Sequence, residues 1–138
     1  MPRKDFYHEI VRLALEKDHW TITDDPLELT IGGVELYADL GAERLIAAEK
    51  GTEKIAIEIK SFISESPVSD FHKALGQYES YKLSLSEIDP NRQVWLAIPH
   101  EAWKNFFQRP FIQKAISHYG ISLVIFDLVN IQLEKWIN

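Results

Sequence analysis

Apolar residues recur at helical spacing over residues 5–17. There Phe6, Ile10, Leu13 and Ala14 form one stripe, and Glu9, Arg12 and Glu16 fall on the other side. Trp20–Thr23 is short and β-prone, and Asp24-Asp25-Pro26 reads as a turn. Leu27–Ile31 fits an edge strand, with Gly32-Gly33 as a tight turn behind it. Val34–Leu40 alternates, placing Val34, Leu36, Ala38 and Leu40 on one face and Glu35, Tyr37 and Asp39 on the other. Leu45–Glu49 and Ile55–Lys60 follow as a hairpin pair, with Ile55, Ile57 and Ile59 toward the core.

The second half opens with a long helix over Pro67–Leu85. Ser66 caps it and Pro67 suits its first position, where a missing N–H costs nothing. Its buried stripe runs through Phe71, Ala74, Leu75, Tyr78 and Leu85, with Gln77 and Tyr81 on an adjacent face. Val94–Ile98 and Ile121–Phe126 are continuous apolar runs, the signature of central strands buried on both sides. Short helices over Glu101–Phe107 and Phe111–Tyr119 separate them, the second closed by Gly120. Ile131–Ile137 alternates and can hairpin back. Together these elements predict an α/β (α+β) fold, a mixed β-sheet flanked by helices, as one domain over residues 1–138. The sheet is expected to contain Val34–Leu40, Leu45–Glu49, Ile55–Lys60, Val94–Ile98 and Ile121–Phe126.

A register follows from the hairpin. If Gly51-Thr52 is a two-residue loop, Ala47 faces Ala56, Leu45 faces Glu58 and Glu43 faces Lys60, and directly opposed residues point the same way. Glu58 and Lys60 then share a strand face with a floor of alanines that leaves room for a ligand.

Composition narrows the function. Hydrophobic residues at 46% and charged residues at 26% describe a globular chain, with no apolar run of the roughly 20 residues that span a bilayer. The N-terminus lacks the apolar segment of a signal peptide, and the absence of cysteine removes thiol catalysis and Cys-bound zinc; both agree with a cytoplasmic location. No two of the five His sit at the spacing of a helical zinc pair. A net charge of −6 opposes strong nonspecific binding to nucleic acid unless positive charge is local or is supplied by a metal ion or a partner.

The chemistry lies in Asp39, Glu58, Lys60 and Gln77. An Asp followed by Glu-x-Lys on the next strand is the spacing of a divalent-metal phosphodiesterase site. Mg²⁺ or Mn²⁺ takes oxygen ligands and keeps several waters, so the carboxylates of Asp39 and Glu58 suffice as protein ligands. Lys60 can stabilise charge on the phosphorus centre, and Gln77 can orient water or hold Lys60. The competing reading is solvated surface charge, or a plain ion-pair cluster, with Gln77 an exposed helix residue. Glu9 is either a surface partner of Arg12 or a third carboxylate leaning toward the metal site.

These residues carry a resemblance. Asp39 and Glu58-Ile59-Lys60, between an N-terminal helix and a later helix bearing Gln77-x-x-x-Tyr81, resemble the PD-(D/E)xK nuclease superfamily with its restriction-endonuclease-like fold, which includes archaeal Holliday junction resolvases. The superfamily's usual Pro before the aspartate is Ala38 here. Lys4-Asp5-x-Tyr7-His8, Tyr37-Ala38-Asp39-Leu40-Gly41-Ala42-Glu43, Ile46-Ala47-Ala48-Glu49-Lys50, Ile57-Glu58-Ile59-Lys60-Ser61-Phe62 and Ala74-Leu75-Gly76-Gln77-Tyr78 are similar to the XisH-like proteins, the fdxN element excision controlling factors of cyanobacteria. The resemblance runs nearly the whole length. It implies a cytoplasmic protein acting on DNA with a XisI-type partner alongside a site-specific recombinase. Its activity is either metal-dependent DNA cleavage or junction processing, or else the non-catalytic role of a regulatory subunit. Resolvases place a metal-site glutamate on the first helix, which makes Glu9 a candidate ligand and His8 an equal one. Finally, Trp103, Phe106, Phe107 and Phe111 cluster around a short helix and a loop, which suggests an exposed aromatic surface for a homodimer or partner contact.

Overall fold

Two glycine turns decide how the first half of the chain pairs. The computed structural model describes residues 3–36 and 45–138. Helix α1 spans Arg3–Lys17 and strand β1 Thr21–Asp24. Strands β2 (Leu29–Ile31) and β3 (Val34–Leu36) are joined by Gly32-Gly33, both at positive φ (56° and 81°), the conformation that closes a two-residue hairpin. This hairpin is a separate two-stranded sheet, so Val34–Leu36 is not a member of the main sheet as its alternation suggested, and Leu29–Ile31 is not its edge. The reason is competition. The edge beside strand β4 (Leu45–Lys50) is occupied by β1, and the hairpin satisfies its own backbone. The residues leading into it are tied to the main sheet by a bond from the Leu27 N–H to the Leu45 carbonyl at 2.7 Å.

The second turn lies between β4 and β5 (Glu53–Ile59). Gly51 at φ 61° closes it, and the register places Leu45 opposite Glu58 and Ala47 opposite Ala56, as a two-residue loop requires. Helix α2 (Pro67–Ile88) then crosses to β6 (Arg92–Pro99), which is parallel to β5. The Ser66 hydroxyl accepts from the Ser69 N–H and caps α2. Helices α3 (His100–Lys104) and α4 (Pro110–Tyr119) lead to β7 (Leu123–Asp127), again parallel, and β8 (Gln132–Ile137) returns antiparallel to it. The sheet order is β1-β4-β5-β6-β7-β8. Gly120 at φ 62° ends α4 in the left-handed conformation that a Cβ disfavours.

Two cores result, one on each face. On the α2 face, Leu45, Ala56, Val94, Leu96, Ile98, Leu123 and Ile125 pack against Phe71, Ala74, Tyr78, Tyr81 and Leu85 of α2 and against Ile112 and Ala115 of α4. On the other face, Ile46, Ala48, Ile55, Ile57, Ile59, Trp95 and Val124 pack against Ile10, Val11 and Leu15 of α1. The buried arc of α1 keeps Ile10 and Ala14 of the expected stripe and is rotated from the rest of it. Phe6 and Leu13 are exposed, while Val11 and Leu15, four residues apart, are fully buried. The helix is turned so that His8 also faces inward, where Asp25 meets it.

Candidate functional site

Strand β5 carries isoleucines on its α1 face and Ala56 and Glu58 on its α2 face, because side chains alternate along a strand. Lys60, just past the end of β5, continues the alternation. Its backbone N–H donates to the Ala97 carbonyl at 3.0 Å, which holds it against β6. Glu58 is 2% exposed and Lys60 6% exposed, and the Lys60 Nζ lies 4.0 Å from the Glu58 Oε2. Two opposite charges are thus carried out of water together at the carboxyl end of a parallel strand, which costs several kcal/mol per ion before their attraction is counted. Crevices outside the carboxyl ends of strands are where open α/β sheets bind ligands.

The alanine floor is present, with Ala47 and Ala56 both fully buried. The room it leaves is filled, however. Helix α2 lies over it, and Ala74 and Tyr78 belong to the same packed cluster as Ala56. Glu58 and Lys60 are themselves buried instead of lying on an open sheet face.

Gln77 stands on α2 one residue before the buried Tyr78. Its side chain is half-buried, and its Oε1 is enclosed with no hydrogen-bond partner among the described residues. Tyr81, four residues on, is buried in the core. Asp39 and Glu43 lie outside the described residues. Glu9 is exposed on α1, 3.8 Å from the Arg12 guanidinium and 3.9 Å from His8, on the helix that covers the opposite face of the sheet from Glu58. His8, the other candidate on that helix, is buried and donates from Nε2 to both oxygens of Asp25 at 2.7 and 3.0 Å. Among the described residues, no three His, Asp or Glu side chains converge to hold a metal ion.

Two features of the site carried no role in the sequence. Ser61, directly after Lys60, is buried at 4% exposure. Phe62 follows at φ 56°, a left-handed conformation uncommon for an aromatic residue. The Phe62 ring is caged by Phe106 at 5.8 Å and Phe107 at 5.0 Å, and Phe71 packs on both of those rings. This cage ends the strand sharply after Lys60 and joins it to the segment after α3. It also shows that Phe106 and Phe107 are core residues, while Phe111 is 70% exposed. A cleft of about 400 Å³ lined by Trp20, Trp95 and Trp136 opens at the amino-terminal end of β5 and β6, well away from Glu58.

A six-stranded mixed sheet with helices on both faces, and a buried Glu-x-Lys at the carboxyl end of a central strand, defines an α/β protein consistent with a restriction-endonuclease-like fold. The family model described as XisH protein matches residues 1–133, and the chain belongs to the XisH family. Two solved structures agree with this along almost their whole length. One is an XisH family protein from Nostoc punctiforme PCC 73102, 42% identical, with a TM-score of 0.89 over 97% of this chain and 100% of the other. Another is a fdxN element excision controlling factor protein from Anabaena variabilis, 41% identical, with a TM-score of 0.90 over 97% of this chain and 99% of the other. No curated protein matches the chain.

Proposed function

We propose that this chain is a metal-dependent DNA endonuclease or junction-processing protein of the PD-(D/E)xK type that takes part in excision of a DNA element in the cytoplasm. The observation that supports this most is the burial of Glu58 and Lys60 side by side at the end of β5. A fold that needed only stability would gain as much from apolar residues of similar volume at those positions.

The donor chemistry fits a hard divalent cation. Glu58 offers carboxylate oxygens in a shielded place, and Asp39, nineteen residues earlier in the sequence, offers a second pair. These two would hold Mg²⁺ or Mn²⁺, which needs few protein ligands when phosphate and water complete its shell. When bound, such an ion supplies Lewis-acid polarisation of the phosphodiester. The chain's own groups do the rest. The Lys60 ammonium, fixed beside Glu58, stabilises negative charge that develops on the phosphate oxygens. The enclosed Gln77 Oε1 is an acceptor for a water or for the Lys60 ammonium. Glu9 has Arg12 as its ionic partner and is the weaker candidate ligand.

A second reading rests on the net charge of −6: a non-cleaving regulatory subunit that binds a recombinase or a XisI-type partner protein, alone or as a homodimer. The two readings separate in one assay. Purified protein with Mg²⁺ or Mn²⁺, with and without partner, is incubated with duplex, branched and single-stranded DNA. The nuclease reading expects metal-dependent cleavage that falls about a hundredfold or more in Asp39→Ala, Glu58→Ala and Lys60→Ala. Full excision in cells carrying Glu58→Ala would instead establish the scaffold reading.

A further inference from the structure

We propose that α3, the turn after it, α4 and Lys135 of β8 form the surface that grips the DNA phosphate backbone beside Glu58 and Lys60. The inference rests on the reading that the chain acts on DNA and assigns the surface that does so.

The chain is acidic as a whole, but its charge is unevenly placed. Between Glu101 and Asp127 there is no Asp or Glu, while Lys104, Arg109 and Lys114 fall in that stretch. Pairing shows the same asymmetry. Among the described residues, Arg12, Lys50, Lys54, Lys60, Lys82 and Arg92 each lie within 4.0 Å of a carboxylate. Lys17, Lys73, Lys104, Arg109, Lys114 and Lys135 have no such carboxylate among the described residues and are exposed, and four of these six belong to α3, the turn after it, α4 and β8. Compensated cations are poor phosphate ligands, because the phosphate must displace a carboxylate. Uncompensated ones release counterions and gain affinity directly.

Two of the four lie over aromatic rings, while Lys104 follows Trp103 on α3 and Lys114 stands on α4, five residues after Arg109. Lys135 sits 5.0 Å over the Trp103 ring of α3, and the Arg109 guanidinium sits 5.1 Å over Phe106. Phe106 in turn stacks on Phe62, two residues after Lys60. Through these contacts the cationic surface reaches the end of the strand that bears Glu58 and Lys60. The exposed Phe111 lies one helical turn before Lys114 on α4 and adds an aromatic face of the kind found in strand-binding grooves. Two acids stand at this surface: Glu101, exposed on α3, and Glu134, next to Lys135 on β8 and 2.8 Å from the His100 ring of α3. The Trp20–Trp95–Trp136 cleft does not compete for a polyanion, since Lys50 and Lys54 on its rim are paired with Asp18 and Asp89.

The test is binding without cleavage. Fluorescence anisotropy with labelled duplex and branched oligonucleotides, in EDTA, is followed as a function of salt for the full chain. Lys104→Ala/Arg109→Ala/Lys114→Ala is expected to weaken binding about tenfold or more. It should also flatten the plot of log K against log salt by about 0.9 for each lost duplex contact. Because Arg109 packs on Phe106, Lys104→Gln/Lys114→Gln serves as a second variant with the core intact, expected to show an intermediate loss. Lys82→Ala, a paired cation on α2, should bind as the wild type does. Unchanged affinity in both multiple variants overturns the assignment, as does an equal loss in Lys82→Ala. Absence of wild-type binding at low salt also overturns it and leaves the surface to an acidic protein partner. Binding lost in the variants, with no metal-dependent cleavage by the wild type, would sink the nuclease reading and leave this assignment standing.

Discussion

Arg92 shows how much a single side chain does here. Its guanidinium donates to the Ile55 carbonyl at 3.0 Å, to Asp89 at 3.0 Å and to Glu49 at 3.3 Å, joining β4, β5, β6 and the end of α2. Asp89 also accepts from Lys54 at 3.0 Å. That bond, with the Arg92 guanidinium adding to it, holds the Asp89 carboxyl below its ordinary value of 3.8, against a smaller opposing effect of burial. A carboxylate whose pKa is depressed by folding contributes stability at neutral pH and loses it as pH falls through the folded value. Asp89→Asn is therefore expected to cost on the order of 1 kcal/mol at pH 7, a charge-assisted bond discounted for partial exposure. The gap between variant and wild type in urea denaturation should close as the pH drops below 3.8. An equal gap at pH 7 and at pH 2.5 would mean the network is not ionic. At this scale the sequence was partly readable. Glu58 and Lys60 stood out by spacing, whereas the His8–Asp25 pair did not. Asp24-Asp25-Pro26 has an adequate reading as a turn, and only the rotation of α1 brings His8 to it.

Among the elements, α2 matters most, because its Tyr78 is tied both to β6 and to the residue just before β7. The Tyr78 hydroxyl donates to the Val94 carbonyl at 3.2 Å and accepts from the Ser122 N–H at 2.9 Å, in the interior. Tyr78→Phe leaves a buried carbonyl and a buried N–H without that partner, so it should cost about 2 kcal/mol. The urea midpoint should fall at constant slope, since the surface exposed on unfolding is unchanged. A loss under about 0.5 kcal/mol would mean that water replaces the hydroxyl. Ser66-Pro67 and Gly120 marked helix ends legibly because caps are local chemistry, and the β4–β5 register followed from a two-residue turn for the same reason. The stripe on α1 and the membership of β3 were not legible, because both depend on what occupies the neighbouring slot. Helical spacing fits Phe6–Ile10–Leu13 as well as Ile10–Val11–Leu15, and a strand pattern does not name its partner. The aromatic cluster near α3 divided for a similar reason. Phe106 and Phe107 are claimed by Phe62 and Phe71, and Phe111 is left outside.

The whole molecule is an acidic α/β protein of the XisH family, and its described helices include none long and apolar enough to cross a membrane. The proposed nuclease role requires a divalent cation at Glu58 with Lys60 beside it. A crystal grown in saturating Mn²⁺ and collected at a wavelength where manganese scatters anomalously tests this directly. A peak is expected at coordination distance from a Glu58 carboxylate oxygen, shared with Asp39 and absent in Glu58→Ala. No peak there, with the Lys60 ammonium closed onto the Glu58 carboxylate as a hydrogen-bonded pair, would contradict it.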